Sequence, residues 1–199
     1  MPPCLVLDAC VLMSGVLRPW LLELAKQGLF EPIWSDRIGD EWQRNAARIW
    51  NIEPALLERE WNDMQTQFAR ANVSRWSVTP NDLPALKYSD SKDWHVIQAG
   101  WHARQAAADR PTGIVTLNIK DFSRSELRRL GLDLWEPDRL LSKWWEAKPD
   151  TLTESLSQVI DDLITAKRRH PAPVADFLKR ERLFRLNKLM AGSTTPTTT

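Results

Sequence analysis

The sequence predicts an α/β fold in three layers, with a central parallel sheet and a helical extension at its C-terminal end. Three observations carry this. Cys4-Leu5-Val6-Leu7 and Gly113-Ile114-Val115-Thr116-Leu117 are short, unbroken apolar runs, the pattern of strands covered on both faces. Segments with helical apolar spacing lie between and after them. The alternation of strand and helix then implies βαβ units, a doubly wound sheet with helices on both faces.

After the first strand, Leu17 to Leu29 reads as a helix with Leu21, Leu22, Leu24 and Ala25 on its apolar face and Gly28 near its end. Phe30 to Trp34 reads as a short connection or edge strand. Ser35 caps a helix whose apolar positions are Ile38, Trp42 and Ile49. Pro54, favoured in a first turn, opens the next, with Leu57, Trp61, Met64 and Phe68 as its buried stripe. Arg75 to Thr79 alternates like a strand, and Pro80 to Lys92 reads as a loop. Asp93 opens a helix that continues through Val96, Ile97, Gly100 and Ala103. Ser123-Arg124-Ser125-Glu126 has the form of a capping box for a short helix ending near Gly131. Leu132 to Trp135 is the last expected strand and Asp138 to Ala147 the next helix, broken by Pro149. Thr151 to Arg169 and Val174 to Met190 are two further expected helices.

The chain has 199 residues, 43% apolar and 27% charged, enough for one domain with a core. No apolar stretch approaches the roughly 18 residues of a membrane span. The N-terminus lacks the pattern of a secretory signal, so a cytoplasmic location is expected. Cys4 and Cys10, without a His/Cys cluster, read as reduced, packed thiols. Eleven Trp, mostly among apolar residues, read as core bulk, with base stacking the functional alternative for a few. Net charge is +1, yet Lys167, Arg168, Arg169, Lys179, Arg180, Arg182, Arg185 and Lys188 cluster in one stretch against Asp176 and Glu181. Such a stretch suits either a phosphate backbone or a solvated helix face.

Four acids, Asp8, Glu41, Asp93 and Asp121, stand at the boundaries or turns of these elements. Asp8 ends the first strand and Asp121 follows the second by a few residues. Open α/β sheets bind ligands beyond the carboxyl ends of their strands. Carboxylates gathered there repel one another unless a cation joins them, and hard oxygen donors favour Mg²⁺ or Mn²⁺. Each acid also has a bland role: Asp8 as a turn residue, Asp93 as a helix cap, Asp121 in a turn, Glu41 on a solvent-facing helix side. His95, in a helix's first turn, reads as locally hydrogen-bonded.

Three segments together resemble the PIN-domain family of metal-dependent ribonucleases, especially its VapC-like toxin branch. They are Leu7-Asp8-Ala9-Cys10-Val11-Leu12, then Trp34-Ser35-Asp36-Arg37-Ile38-Gly39-Asp40-Glu41-Trp42, and finally Ser89 to Ala99 followed by Ile114 to Phe122 with its Thr-x-Asn-x-x-Asp-Phe ending. The likeness runs from about residue 4 to 140. It implies a PIN-like domain, expected over residues 1–147; the helical spacing that follows predicts a helical extension over 148–191, and the Thr-rich composition a disordered tail over 192–199. The likeness also implies a Mg²⁺- or Mn²⁺-dependent endoribonuclease, the toxin of a type II toxin–antitoxin pair. RNA would be the substrate, and an antitoxin and a second copy of the chain the partners.

By that resemblance Asp8 and Asp93 are direct metal ligands, and Glu41 and Asp121 complete the cluster. Thr116 and Asn118 support the carboxylates or the scissile phosphate, and Asp90 is a loop residue or outer ligand. Outside the stretch of likeness, the charge run makes Lys167, Arg168, Arg169 and Arg180 the residues expected to track RNA. Departures from the family pattern fall at Cys10, where polar Asn or Ser is common, and at Lys92 and Trp94. In many relatives the fourth acid falls at the position of Asn118, so Asn118 and Asp121 both stand for that place. Two other classes compete. A phospho-receiver domain would need an acceptor Asp on a mid-chain strand, which this sequence lacks. A catalytically silent PIN-like RNA-binding or protein-interaction module would be expected to have lost acids, and none is plainly lost.

Overall fold

A computed structural model describes residues 1–77 and 82–193. Four parallel strands, β1 (Cys4–Leu7), β2 (Glu31–Ile33), β3 (Thr112–Val115) and β4 (Leu132–Trp135), lie in the order β2-β1-β3-β4. β1 and β3 are buried at every residue, which is why they read as continuous apolar runs. The chain leaves β1 toward β2 on one side, whereas β3 leads to β4 on the other. The strand order therefore reverses between β1 and β3, the position where open sheets bind ligands.

Helices α1 (Ala9–Leu12) and α2 (Leu17–Lys26) join β1 to β2. The path from β2 to β3 contains α3 (Asp36–Trp50), α4 (Pro54–Gln67) and α5 (Trp94–Ala106), and α6 (Arg124–Arg129) joins β3 to β4. α5 packs on β1 and β3, α6 on β4 and α2 against β2; the right-handed crossover rule would place α2 on the face opposite α5 and α6. Ser35 Oγ accepts from Ile38 N and caps α3 as expected. Within α3, a Cβ on Gly39 would collide with the Trp61 indole. That close approach lets Trp61 pack between Trp34 and Trp42, locking α4 onto the helix that carries Glu41.

The C-terminal part is helical. It comprises α7 (Pro137–Ala147), α8 (Pro149–Thr165), α9 (Val174–Arg180) and α10 (Phe184–Ser193). α8 packs on α2, where Trp20 Nε1 donates to Ser155 Oγ at 2.9 Å, and Phe30 stacks on Trp144 with ring centroids 5.4 Å apart. Phe177, Leu178, Leu183 and Leu186 are buried, so the extension shares the core of the sheet domain.

Several elements differ from expectation. The segment from Arg75 forms no strand over its described part: Val73–Arg75 is a 3₁₀ turn set by Asn72, whose Oδ1 accepts from Ser74 N. Val78 and Thr79, with Pro80 and Asn81 of the expected loop, lie outside the described residues. Pro149 ends one helix and opens the next, since its missing N–H costs nothing in a first turn. The expected helix from Val174 to Met190 is two, interrupted at Arg182 with φ 59°. Gly192 and Ser193 continue α10, and 194–199 lie outside the described residues.

Candidate acidic site at the sheet switch point

The register pairs Leu7 with Val115, so Asp8 and Thr116 each stand one residue beyond the strand ends, side by side. Thr116 Oγ1 donates to Asp8 Oδ2 at 2.6 Å, and Cys10 Sγ donates to the same oxygen at 3.1 Å. Cys10 Sγ also accepts from Leu117 N at 3.3 Å, and Asn118 N donates to Thr116 Oγ1 at 3.0 Å. One oxygen of Asp8 is thus fixed by two side chains, while Oδ1 makes no protein hydrogen bond among the described residues. Asp8 holds the N-cap position of α1 in the turn after β1, and its side chain caps nothing. Burial pushes its carboxyl up, and nearby Glu41 adds to that, while the bonds from Thr116 and Cys10 pull it down. Burial pushes the Cys10 thiol up to about 12, so it remains protonated. Both cysteines are free.

Asp93 stands at the N-cap position of α5, again without a side-chain cap bond. Asp90 caps the 3₁₀ turn Ser91–Asp93 just before α5, its Oδ1 accepting from Lys92 N at 3.0 Å. Asp90 N donates to the Asp121 carbonyl at 2.8 Å, tying the turn before α5 to the 3₁₀ turn Ile119–Asp121 after β3. The Asp93 carboxyl is pushed up to about 6, first by burial and then by the negative charges of Asp8, Asp121, Glu41 and Asp90. Those four acids therefore face Asp93 electrostatically. Asn118 contributes its backbone N–H to Thr116; of the two candidates for the fourth position, Asp121 is the one whose charge acts on Asp93, together with Asp8, Glu41 and Asp90.

Glu41, on α3, meets His95 on α5. His95 Nδ1 lies 2.8 Å from the Lys92 carbonyl, which can only accept, so Nδ1 carries the proton there. Nε2 then faces Glu41 Oε2 at 3.1 Å. The contact is close but poorly directed, and Nε2 has no well-formed hydrogen bond. His95 still holds the Glu41 carboxyl below the usual carboxylate range. The histidine is locally bonded, as expected from its position. Its reach to Glu41 has no signal in the sequence, since the two residues lie on helices far apart along the chain.

A second feature that no spacing announces braces the Asp90 turn. Glu126 is buried, and its carboxylate accepts from Lys87 N at 2.5 Å, Tyr88 N at 3.0 Å, and Ser89 N and Oγ at 2.9 and 2.8 Å. Burial alone would raise this carboxyl, but those donors hold it down at about 2. The capping box is accordingly only half formed. Ser123 Oγ accepts from Glu126 N, but Ser123 N donates to Ser89 Oγ instead of to Glu126.

Of the basic residues, Arg168, Arg169 and Arg180 line one recess of about 300 Å³ with His170. Lys167 is exposed at the end of α8 with φ 54°. Beside Arg180, Glu181 Oε2 accepts from Ser14 Oγ at 2.5 Å in the turn after α1. Among the Trp residues, Trp20, Trp34, Trp42 and Trp61 are core, whereas Trp94, next to Asp93, is 39% exposed.

Among the described residues, no three His, Cys, Asp or Glu side chains lie close enough to hold a metal ion directly. The acids that act on Asp93 are hard oxygen donors, the type Mg²⁺ and Mn²⁺ take. Mg²⁺ retains several waters and is commonly held by only one or two carboxylates. The mutual repulsion felt at Asp93 is what such a cation would relieve. No helix among the described residues is long and apolar enough to cross a membrane. Comparison with protein-family models, curated proteins and solved structures finds no match.

Proposed function

We propose that this protein is a Mg²⁺- or Mn²⁺-dependent endoribonuclease of PIN-like type, acting in the cytoplasm as the toxin of a toxin–antitoxin pair. The observation that carries the reading is Asp93, its carboxyl raised to about 6 by burial together with Asp8, Asp121, Glu41 and Asp90 at the sheet switch point. Asp8 through Oδ1 and Asp93 are the direct ligands in this reading, and Glu41 and Asp121 act through water. A bound cation would supply an activated water and neutralise charge developing on the phosphate. Thr116 and Cys10 keep Asp8 in one orientation. The Glu126–Ser89 brace holds the turn bearing Asp90 and Asp93 against α6. His95 Nε2 stands 3.1 Å from Glu41 Oε2 and, when protonated, holds that carboxylate in place. The basic cluster of Arg168, Arg169 and Arg180, with Lys167, would attract the RNA backbone, and an antitoxin and a second copy of the chain are the expected partners.

Cleavage of a labelled single-stranded RNA by the purified full chain, with Mn²⁺, Mg²⁺ or chelator, tests this reading. Metal-dependent cleavage that disappears in Asp8→Asn and Asp93→Asn supports it, whereas cleavage at wild-type rates in either variant overturns the ligand assignment. A second reading, a catalytically silent RNA-binding or protein-interaction module, is favoured by the lack of a three-carboxylate constellation among the described residues. Saturable RNA binding with no turnover under any metal would select it.

A further inference from the structure

On the side of α4 that faces the end of α8 lies a cleft of about 680 Å³, well within the range of small-molecule sites. Its floor is apolar, formed by Met13, Leu22, Trp50, Leu57 and Met64. Its polar rim is cationic: four guanidinium groups, Arg18, Arg59, Arg168 and Arg169, stand against two carboxylates, Glu60 and Asp63. Glu60 is already engaged, with Arg18 Nη2 at 2.7 Å and Arg168 Nη1 at 3.8 Å. Arg59 and Arg169 have no ion pair within 4.0 Å among the described residues, which leaves the rim with excess positive charge.

Arg18 is the unusual member. Its side chain is 91% buried, being 9% exposed, and burial pulls its pKa down. Its Cζ lies 4.9 Å from the Trp42 ring and 5.9 Å from that of Trp50, and Nη1 has no hydrogen-bond partner among the described residues. A buried guanidinium with an orphaned N–H group is costly unless an acceptor arrives. Arg169 is seated against the backbone of Gly15, where a Cβ would lie 2.6 Å from its Nη2. This guanidinium therefore lies directly on the backbone at the edge of the cleft.

We propose that this cleft binds a small organic anion, a carboxylate or phosphate monoester carried on an apolar body. The apolar body lies on Leu22, Trp50 and Leu57, and the anionic oxygens meet Arg18 Nη1 after a small rotation, with Arg59 and Arg169 closing over them. A half-open cleft of this size suits a small molecule, and the excess of guanidinium groups over carboxylates along it selects its charge. The inference does not depend on the nuclease reading, because none of the acids at the switch point lines the cleft.

Calorimetric titration of the full chain with decanoate, decyl phosphate and decanol, each below its micelle concentration, tests it, with tryptophan fluorescence as a second readout through Trp50. Decanoate or decyl phosphate should bind at one site at least about tenfold more tightly than decanol, a factor worth about 1.4 kcal/mol. The stronger of the two identifies the acidic group. Arg18→Met should abolish the preference for anions. Should that variant not fold, Arg59→Gln with Arg169→Gln, both at exposed positions, should weaken the anion about tenfold and leave decanol unchanged. Equal binding of decanol and the anions, anion binding unchanged in the double variant, or no saturable binding overturns the proposal. Saturable binding of an acidic amphipathic peptide with none of decanoate would overturn it in favour of a protein partner.

Discussion

Thr116 Oγ1 donates to Asp8 Oδ2 at 2.6 Å across the gap between the first and third strands. This bond joins two strand ends that lie far apart in sequence, and it decides which oxygen of Asp8 faces the site. Thr116→Val keeps the shape but removes the donor, leaving a buried carboxylate with only Cys10. We expect a stability loss of about 1–2 kcal/mol and a drop of at least about tenfold in metal-dependent cleavage. Thr116→Ser should recover most of both. Denaturant unfolding and single-turnover cleavage check the pair. A Thr116→Val protein with wild-type stability and rate would show that the bond positions nothing.

Asp93 gives a pH signature with a definite sign. Its folded pKa is raised to about 6, above the ordinary value near 3.9, so the folded protein holds this proton more tightly than the unfolded chain. The resulting stability is present below about pH 4 and is lost as pH rises through 6. Asp93→Asn mimics the protonated form, so without metal it should be more stable than wild type at pH 7, by about 1 kcal/mol after solvent screening. Millimolar Mn²⁺ should stabilise wild type and not the variant. Melting curves from pH 4 to 8, with and without metal, measure both effects. A variant less stable than wild type at pH 7 would show that Asp93 is not under repulsion.

The main lines of the fold are legible in the sequence because β1, β3 and β4 are short and, for β1 and β3, covered on both faces. Patterns of that kind identify their strands without alternation. The acids are legible as a set because Asp8 and Asp121 follow those strands and Asp93 opens a helix. Contacts between distant turns are not. Glu126 looks like the local half of a capping box, yet its carboxylate serves residues 87–89, a long-range partner set that no spacing encodes. His95 and Glu41 meet only because α3 and α5 pack together. Cys10, two residues from Asp8, looks like a packed thiol, and only the register of β1 with β3 brings Thr116 to it. The interruption at Arg182 escapes notice because Lys, Arg and Leu all favour helix, and a left-handed residue there has no glycine to mark it.

The sign reverses for Glu126. Its folded pKa lies at about 2, below the ordinary value near 4.3. Its contribution to stability is full above that ordinary value and is lost as pH falls toward 2. Glu126→Gln keeps the size but replaces an acceptor-only group by an amide whose NH₂ must face backbone N–H donors. We expect a loss of about 2–3 kcal/mol at pH 7 and a shallower fall in stability between pH 5 and pH 2. Because the brace holds the segment leading into Asp90 and Asp93, cleavage should fall as well, through a site that is less ordered. Urea unfolding across that pH range is the measurement, and an unchanged acid limb in the variant would refute the assignment.

The basic cluster calls for substitution and not truncation. Removing the chain beyond residue 165 would uncover the core, because Phe177, Leu178, Leu183 and Leu186 are buried. Arg168, Lys167 and Arg180 are exposed, and changing them to Gln removes charge while leaving that apolar packing in place. If they meet RNA phosphates, binding of a single-stranded RNA should weaken for every sequence alike. The slope of log affinity against log salt should flatten by about 0.7 for each phosphate no longer neutralised, hence by about 2 in the triple variant. Metal-induced stabilisation should be unchanged, because none of the three residues adjoins Asp8 or Asp93 in the hydrogen bonds and ion pairs of the site. Fluorescence anisotropy from about 50 to 300 mM salt, the range over which such slopes are steep, reads the change directly. A folded triple variant with the wild-type affinity and slope would remove RNA guidance from this face and leave its arginines to the neighbouring cleft.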